Sequence, residues 1–186
     1  MDEVLNPSVE IEKVTISKDF TVKVVRDDLL VGGTKQRALY VFFNDTKEEY
    51  IYASPVNGYA QIALAYVAGL YKKKATVFLA SGPMTDLTKK AKKLGAKIVF
   101  IRPPNRLKNI QSEKYALRKE ERCLLPFGLG NEEFTRTLSI NIKKAWGRKR
   151  APKRMWVVAG SATILKSLSI VFPDCFFLVL QVGKKI

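Results

Sequence analysis

Short runs of β-branched and aromatic residues alternate with longer segments of helical period along the whole chain, and this alternation limits the fold more than any other feature. VTIS, TVKVVRD, EYIYAS, ATVFLA, KIVFI, CLLPFG (a short buried strand), MWVVAG and CFFLVLQVG read as strands. TKQRALYVFFN, GYAQIALAYVAGLY, residues 85–94, 105–121 and 132–146, and ATILKSLSIVF read as helices. Leu87, Ala91 and Leu94 share one face of the third of these, with lysines on or beside the wet face and Gly95 as the C-terminal cap. Strand and helix in repeated succession predict an α/β fold, a parallel sheet with helices on both faces. Ligands of such folds gather at the carboxyl ends of the strands, where loops meet helix N-termini. That directs attention to three loops: DDLLVGGTK, ASPVNGYAQ and AGSAT.

With 186 residues, 47% of them hydrophobic, the chain is long enough to bury a core without cross-links. Its two cysteines, Cys123 and Cys175, lie far apart in apolar runs and are expected to be buried free thiols, which suits a reducing compartment. No run approaches the roughly 18–20 apolar residues of a membrane span, and the acidic N-terminus lacks an apolar signal core. A cytoplasmic location without membrane association is expected. The chain has 33 Lys and Arg against 17 Asp and Glu, a net charge of +16, and no His. The charge favours polyanions such as nucleic acid or a phosphate-rich ligand. The absence of His removes Ser-His-Asp and Cys-His catalysis and the usual zinc sites.

Lys35 follows Gly32, Gly33 and Thr34 on the opening turn of a predicted helix, where the helix dipole disfavours a cation by a few tenths to about 1 kcal/mol. Either it is a solvated lysine after a turn, or it is an amine whose pKa is lowered by dipole and burial so that it can attack an aldehyde. The string RDDLLVGGTKQRAL resembles the cofactor-lysine segment of the fold type II pyridoxal-phosphate enzymes, nearest to the aminocyclopropane-carboxylate deaminase and D-cysteine desulfhydrase branch. The resemblance implies a tryptophan synthase beta subunit-like fold, pyridoxal 5'-phosphate as cofactor and Lys35 as the Schiff-base lysine. WVVAGSATILKSL is similar to that family's strand, phosphate cup and helix, so Gly160, Ser161, Ala162 and Thr163 would hold the cofactor phosphate. Ala162 stands where the family has glycine.

In the same comparison ASPVNGYAQ occupies the place of a Ser-Asn loop, with Asn57 nearest to the residue that contacts the ring hydroxyl and Ser54 and Gln61 beside it. From the residues alone Asn57-Gly58 is equally an ordinary helix-entry turn. LPFGLGNEEF, containing Gly128 and Gly130, resembles the loop returning from a small subdomain to the large one, or is a Gly-rich connection. The resemblance runs from about Phe20 to Gly183, and family members continue beyond the point where this chain ends. It implies a large cofactor-binding domain from residues 1–47 and 126–186, incomplete relative to the family, around a small α/β subdomain at 48–125.

The densest basic run holds Lys143, Lys144, Arg148, Lys149, Arg150, Lys153 and Arg154, with Trp146 among them as an aromatic able to stack a base. Each lysine run is alternatively a solvated face. Two functions are expected from these features. One is a pyridoxal-phosphate-dependent lyase or deaminase acting on a small amino acid or amino-acid-like group. The other is an inactive descendant of that fold serving as a basic nucleic-acid-binding or assembly protein. A homodimer or a larger assembly is expected in either case.

Overall fold

The structure is a computed structural model and describes residues 2–102 and 106–182. It is an α/β fold. Helix α1 (Asp2–Leu5) precedes the antiparallel hairpin β1 (Ile11–Ser17) and β2 (Phe20–Val25). Strand β3 (Glu49–Ala53), helix α2 (Ala60–Leu70), β4 (Lys74–Ala80), α3 (Asp86–Lys93), β5 (Lys97–Ile101), α4 (Arg106–Ala116) and β6 (Arg122–Leu124) form the central unit. Its sheet is wholly parallel, in the order β5-β4-β3-β6. Helix α5 (Glu132–Trp146), β7 (Arg154–Ala159), α6 (Thr163–Val171) and β8 (Phe176–Gln181) follow, with β7 and β8 paired in parallel.

All five residues of β3 are buried, because the strand is covered on both faces. Tyr50 and Tyr52 join the cluster containing Ile62, Leu64 and Val67 of α2, while Ile51 and Phe78 pack with Ala116 of α4. A central parallel strand needs such two-sided cover, and a near-continuous apolar run supplies it. The alanines of α2 let its backbone come close to the loop before Lys35: a Cβ on Gly32 would lie 3.0 Å from the Cα of Ala63. Thr85 caps α3 by accepting from the Thr88 amide, and Gly95 ends that turn at φ +95°.

Three expectations are corrected. TKQRALYVFFN is not one helix: it forms two 3-10 turns, Thr34–Arg37 and Leu39–Phe42, broken at Ala38 with φ −134° and ψ −6°. The two halves are drawn to different partners. Gln36 and Arg37 are tied into buried polar bonds with the N-terminal segment, whereas Phe42 stacks on Phe134 and Phe43 on Tyr50. The helix expected at 105–121 ends at Ala116, and residues 103–105 lie outside the described set. The strand at CLLPFG is less buried than its composition suggests, with Cys123 part-exposed and Leu124 exposed at the edge of the sheet. Cys175 is buried, and both thiols are free.

Helices flank both faces only in the four-stranded sheet. Met155, Val157, Ala159 and Phe177 of the two-stranded sheet face inward, and Met155 and Phe177 pack on the main core. On the other face Arg154, Trp156, Val158, Phe176 and Leu180 are exposed and Leu178 is half-buried, while Val179 and Gln181, opposite Val157 and Ala159 on the inward side, are exposed as well. No helix among the described residues is long and apolar enough to cross a membrane.

Candidate cofactor-binding site

Lys35 enters the site from the first 3-10 turn, directly after Gly33 at φ +64°. The residue is half-buried overall, with its ammonium end enclosed, and Nζ donates to the carbonyl of Gly128 at 3.2 Å. Burial pulls the Lys35 pKa down to about 8. A four-residue turn has little dipole, so enclosure is the cause and the helix-dipole explanation falls away.

The same Gly128 carbonyl accepts from Thr163 Oγ1 at 3.0 Å and from Ser161 Oγ at 3.5 Å, and the two hydroxyls lie 3.1 Å apart. Lys35 Nζ and Thr163 Oγ1 therefore cannot be further apart than the sum of two hydrogen bonds. Residues separated by 128 positions meet at one oxygen. Gly128 is required there: its φ is +71°, and a Cβ would stand 2.5 Å from Ser161 Cβ. Its N–H donates to Tyr52 Oη at 3.2 Å, which fixes the peptide to the end of β3, and burial raises the Tyr52 pKa. Sequence reading placed Gly128 in a connecting loop and missed its part in the site. The available signal was the pair of glycines immediately before a helix.

Gly160, Ser161 and Ala162 connect β7 to α6, and Thr163 opens that nine-residue helix. The first N–H groups of α6 have no partner within the helix. Ala162 adopts φ +57° and ψ −1°, the left-handed region in which a side chain costs roughly 1–2 kcal/mol. Ala162→Gly is therefore expected to raise stability by up to about 1 kcal/mol, after allowance for the greater freedom of glycine in the unfolded chain. Urea unfolding of the two proteins measures it, and a loss of stability would show that the turn is relaxed with alanine.

Asn57 is exposed, on the turn closed by the Gly58 amide and the Pro55 carbonyl. Ser54 is fully buried, and its carbonyl accepts from Lys108 Nζ at 3.0 Å. Gln61 is fully buried and donates from Nε2 to the carbonyls of Val56 and Gly58, both at 3.0 Å; its Oε1 has no hydrogen-bond partner.

A cleft of about 540 Å³ bordered by Gly130, Asn131, Ser161, Thr163 and Lys166 adjoins the hydroxyls. A second cleft, of about 550 Å³, lies at the opposite, amino ends of the strands. Glu49 on its wall is already occupied by Thr76, Tyr115 and Arg122, whose bonds outweigh burial and lower its pKa. That arrangement is a structural ion pair.

Lys143, Lys144, Arg148, Lys149, Arg150, Lys153 and Arg154 are all exposed, along the end of α5 and the segment leading into β7. Trp146 is not exposed with them. It is 7% accessible, packs edge-on against Phe172 at 4.9 Å, and donates from Nε1 to the Lys149 carbonyl, so base stacking by this ring is excluded.

No family model matches the chain, and no curated protein matches its sequence. Solved structures do match. An ACC deaminase homologue superimposes with a TM-score of 0.81 at 19% identity, over 97% of this chain and 62% of that one. A fungal L-serine ammonia-lyase from Rhizomucor miehei gives 0.75 at 11% identity, over 95% of this chain and 60% of that one. An O-acetylserine dependent cystathionine beta-synthase from Helicobacter pylori gives 0.69 at 18% identity, over 96% and 65%. The chain has the fold of the fold type II pyridoxal-phosphate enzymes. It spans about 62% of the length of the ACC deaminase homologue and similar shares of the others.

Proposed function

We propose that the chain binds pyridoxal 5'-phosphate and acts as a lyase or deaminase on a small amino acid or amino-acid-like group, with Lys35 as the Schiff-base lysine. The observation that carries this reading is the convergence of Lys35, Ser161 and Thr163 on the Gly128 carbonyl. The names of the solved structures with this fold, which include a deaminase homologue and a serine ammonia-lyase, support the substrate class.

The residues present fit the cofactor. An enclosed amine with no carboxylate bonded to it suits an aldehyde, and two hydroxyls beside the unpaired N–H groups of a helix suit a phosphate. Gly128 leaves open the space that a side chain would fill against Ser161. When bound, the cofactor supplies an electron sink for carbanion chemistry. Gly160, Ser161, Ala162 and Thr163 would hold its phosphate and set its orientation, and exposed Asn57 is the candidate for the ring hydroxyl. At a pKa of about 8, Lys35 is neutral in roughly a tenth of molecules at pH 7, far more than an unperturbed lysine. The same amine is placed to take and return a proton at the substrate Cα.

Titration of the purified protein with pyridoxal 5'-phosphate is expected to produce a saturable visible band characteristic of lysine-bound cofactor, weakened by excess inorganic phosphate. A protein that stays colourless at saturating cofactor overturns the proposal. A second reading, a basic nucleic-acid-binding module, is favoured by the seven exposed cations around the start of β7. It would accompany a colourless protein whose affinity for RNA falls steeply with salt.

A further inference from the structure

The cleft at the amino ends of the central strands is formed by β3, β4, β5 and β6 and the end of α4. Strand register determines which side chains meet there. Glu49 pairs with Lys74 on one side and Arg122 on the other, and Thr76, two residues after Lys74, pairs with Lys97. Ladder partners and residues two apart share a face, so all five lie on one face of the sheet. Ile51, two residues after Glu49, packs with Ala116 of α4, so this is the face that α4 covers. The helix stops at Ala116, and the row at the amino ends borders an open cleft of about 550 Å³. Tyr52, near the other end of β3, is the residue that holds Gly128, so the length of the strand separates this cleft from the Lys35 site.

The charges on this wall do not cancel. Glu48 is held by Lys73 at 2.6 Å, Glu121 by Lys119 at 3.5 Å and Glu49 by Arg122 at 2.7 Å, which takes up every carboxylate on the lining. Lys74 and Lys97 remain, and neither has a carboxylate within ion-pair distance among the described residues. Arg122 is fixed in place: Nε bonds Glu49, Nη1 donates to the Tyr115 carbonyl at 2.8 Å, and the guanidinium lies 3.7 Å from the centre of the Tyr115 ring. Its Nη2 has no hydrogen-bond partner among the described residues. Lys97 Nζ is 5.4 Å from the centre of the same ring, so the two cations are no further apart than the sum of these distances. Gathering cations on one wall costs free energy that an anion between them recovers.

We propose that this cleft binds a small phosphate-bearing ligand of two or more negative charges, separate from the cofactor site, with Lys74, Lys97 and Arg122 as its donors. A single negative charge would leave one of the two lysines unmatched. The three donors come from three strands, β4, β5 and β6. Such an arrangement suits a phosphoryl group, whose terminal oxygens point apart, better than a planar carboxylate. The rim argues against an extended nucleic acid. Glu48 and Glu121 are exposed there, side by side, with the Glu48 N–H donating to the Glu121 carbonyl at 2.7 Å. A phosphodiester chain leaving past that rim would meet two carboxylates.

The test is a titration of the intact, isotope-labelled chain with inorganic pyrophosphate, followed by amide chemical shifts. Saturable shifts are expected at residues 74–76, 95–97 and 119–122, and they should persist in Thr163→Ala, which alters only the cofactor turn. Replacing Lys74 and Lys97 together by methionine should weaken this binding at least about tenfold. Replacing exposed Arg148 and Lys149 together by methionine removes the same charge elsewhere and should change it less than about twofold. An equal loss in the two double variants would mean that net charge alone attracts the anion, and would overturn the proposal. So would a chain that shows no shifts with pyrophosphate, or shifts confined to Gly128 and residues 160–163, measurements that need no variant. A short RNA that moves the cleft amides at lower concentration than pyrophosphate would assign the cleft to nucleic acid and overturn it as well.

Discussion

Replacing Lys35 with methionine is expected to make the protein more stable at neutral pH while removing its covalent hold on the cofactor. Burial lowers the lysine pKa from 10.5 to about 8, a difference of at most about 3 kcal/mol against the charged form. The half-exposed stem and the bond to Gly128 reduce the net gain to about 1–2 kcal/mol. The sign over pH follows from proton binding. Below about 8 the folded and unfolded chains both carry the proton, and the burial penalty is present in full. Between about 8 and 10.5 the unfolded chain holds a proton that the folded chain has released, so stability rises with pH and the penalty fades. The advantage of Lys35→Met should therefore be largest at pH 7 and close to nil near pH 10.5. Urea unfolding at the two values measures it. A variant less stable than the parent at pH 7 would mean that the amine is a structural tie rather than a strained functional group.

The largest loss of stability is expected two residues further on. Arg37 is 1% exposed, and its guanidinium donates twice to Asp27, at 3.2 and 2.7 Å. It also donates to Asn6 Oδ1 and the Pro7 carbonyl, each at 2.7 Å. The bonds join the N-terminal segment, the Asp27 turn and the lysine turn. Arg37→Met leaves the carboxylate and two further acceptors unpaired and should cost about 3–5 kcal/mol. Arg37→Lys should recover little of this, since one ammonium cannot reproduce the forked geometry. Thermal and urea unfolding give the size of the effect. A loss below about 1 kcal/mol would show that water replaces the guanidinium and that the lysine turn does not depend on it.

The order of strands and helices was legible because period and β-branched composition are local properties. Lys35 and the Gly160–Thr163 turn were legible for a similar reason, each being a short contiguous pattern. Gly128 was not: its importance arises from three donors that meet its carbonyl from distant positions, and no local spacing encodes that meeting. The break at Ala38 was hidden because the pull of Gln36 and Arg37 toward the N-terminal segment is tertiary. Trp146 is a different case. Leu138, Ile142, Ala145 and Trp146 fall on one helical stripe, and all four are buried in α5, so the helical period carried a signal for an inward ring that the reading of Trp146 from its cationic neighbours missed.

The central claim is that the Lys35 amine is the one that meets the aldehyde of a phosphate-anchored cofactor. Borohydride reduction after incubation with a slight excess of pyridoxal 5'-phosphate, followed by peptide mapping, tests it most directly. The account predicts a stable adduct concentrated on Lys35, lost in Lys35→Met and suppressed by inorganic phosphate. Label spread over the surface lysines, with Lys35 unmodified, would contradict it.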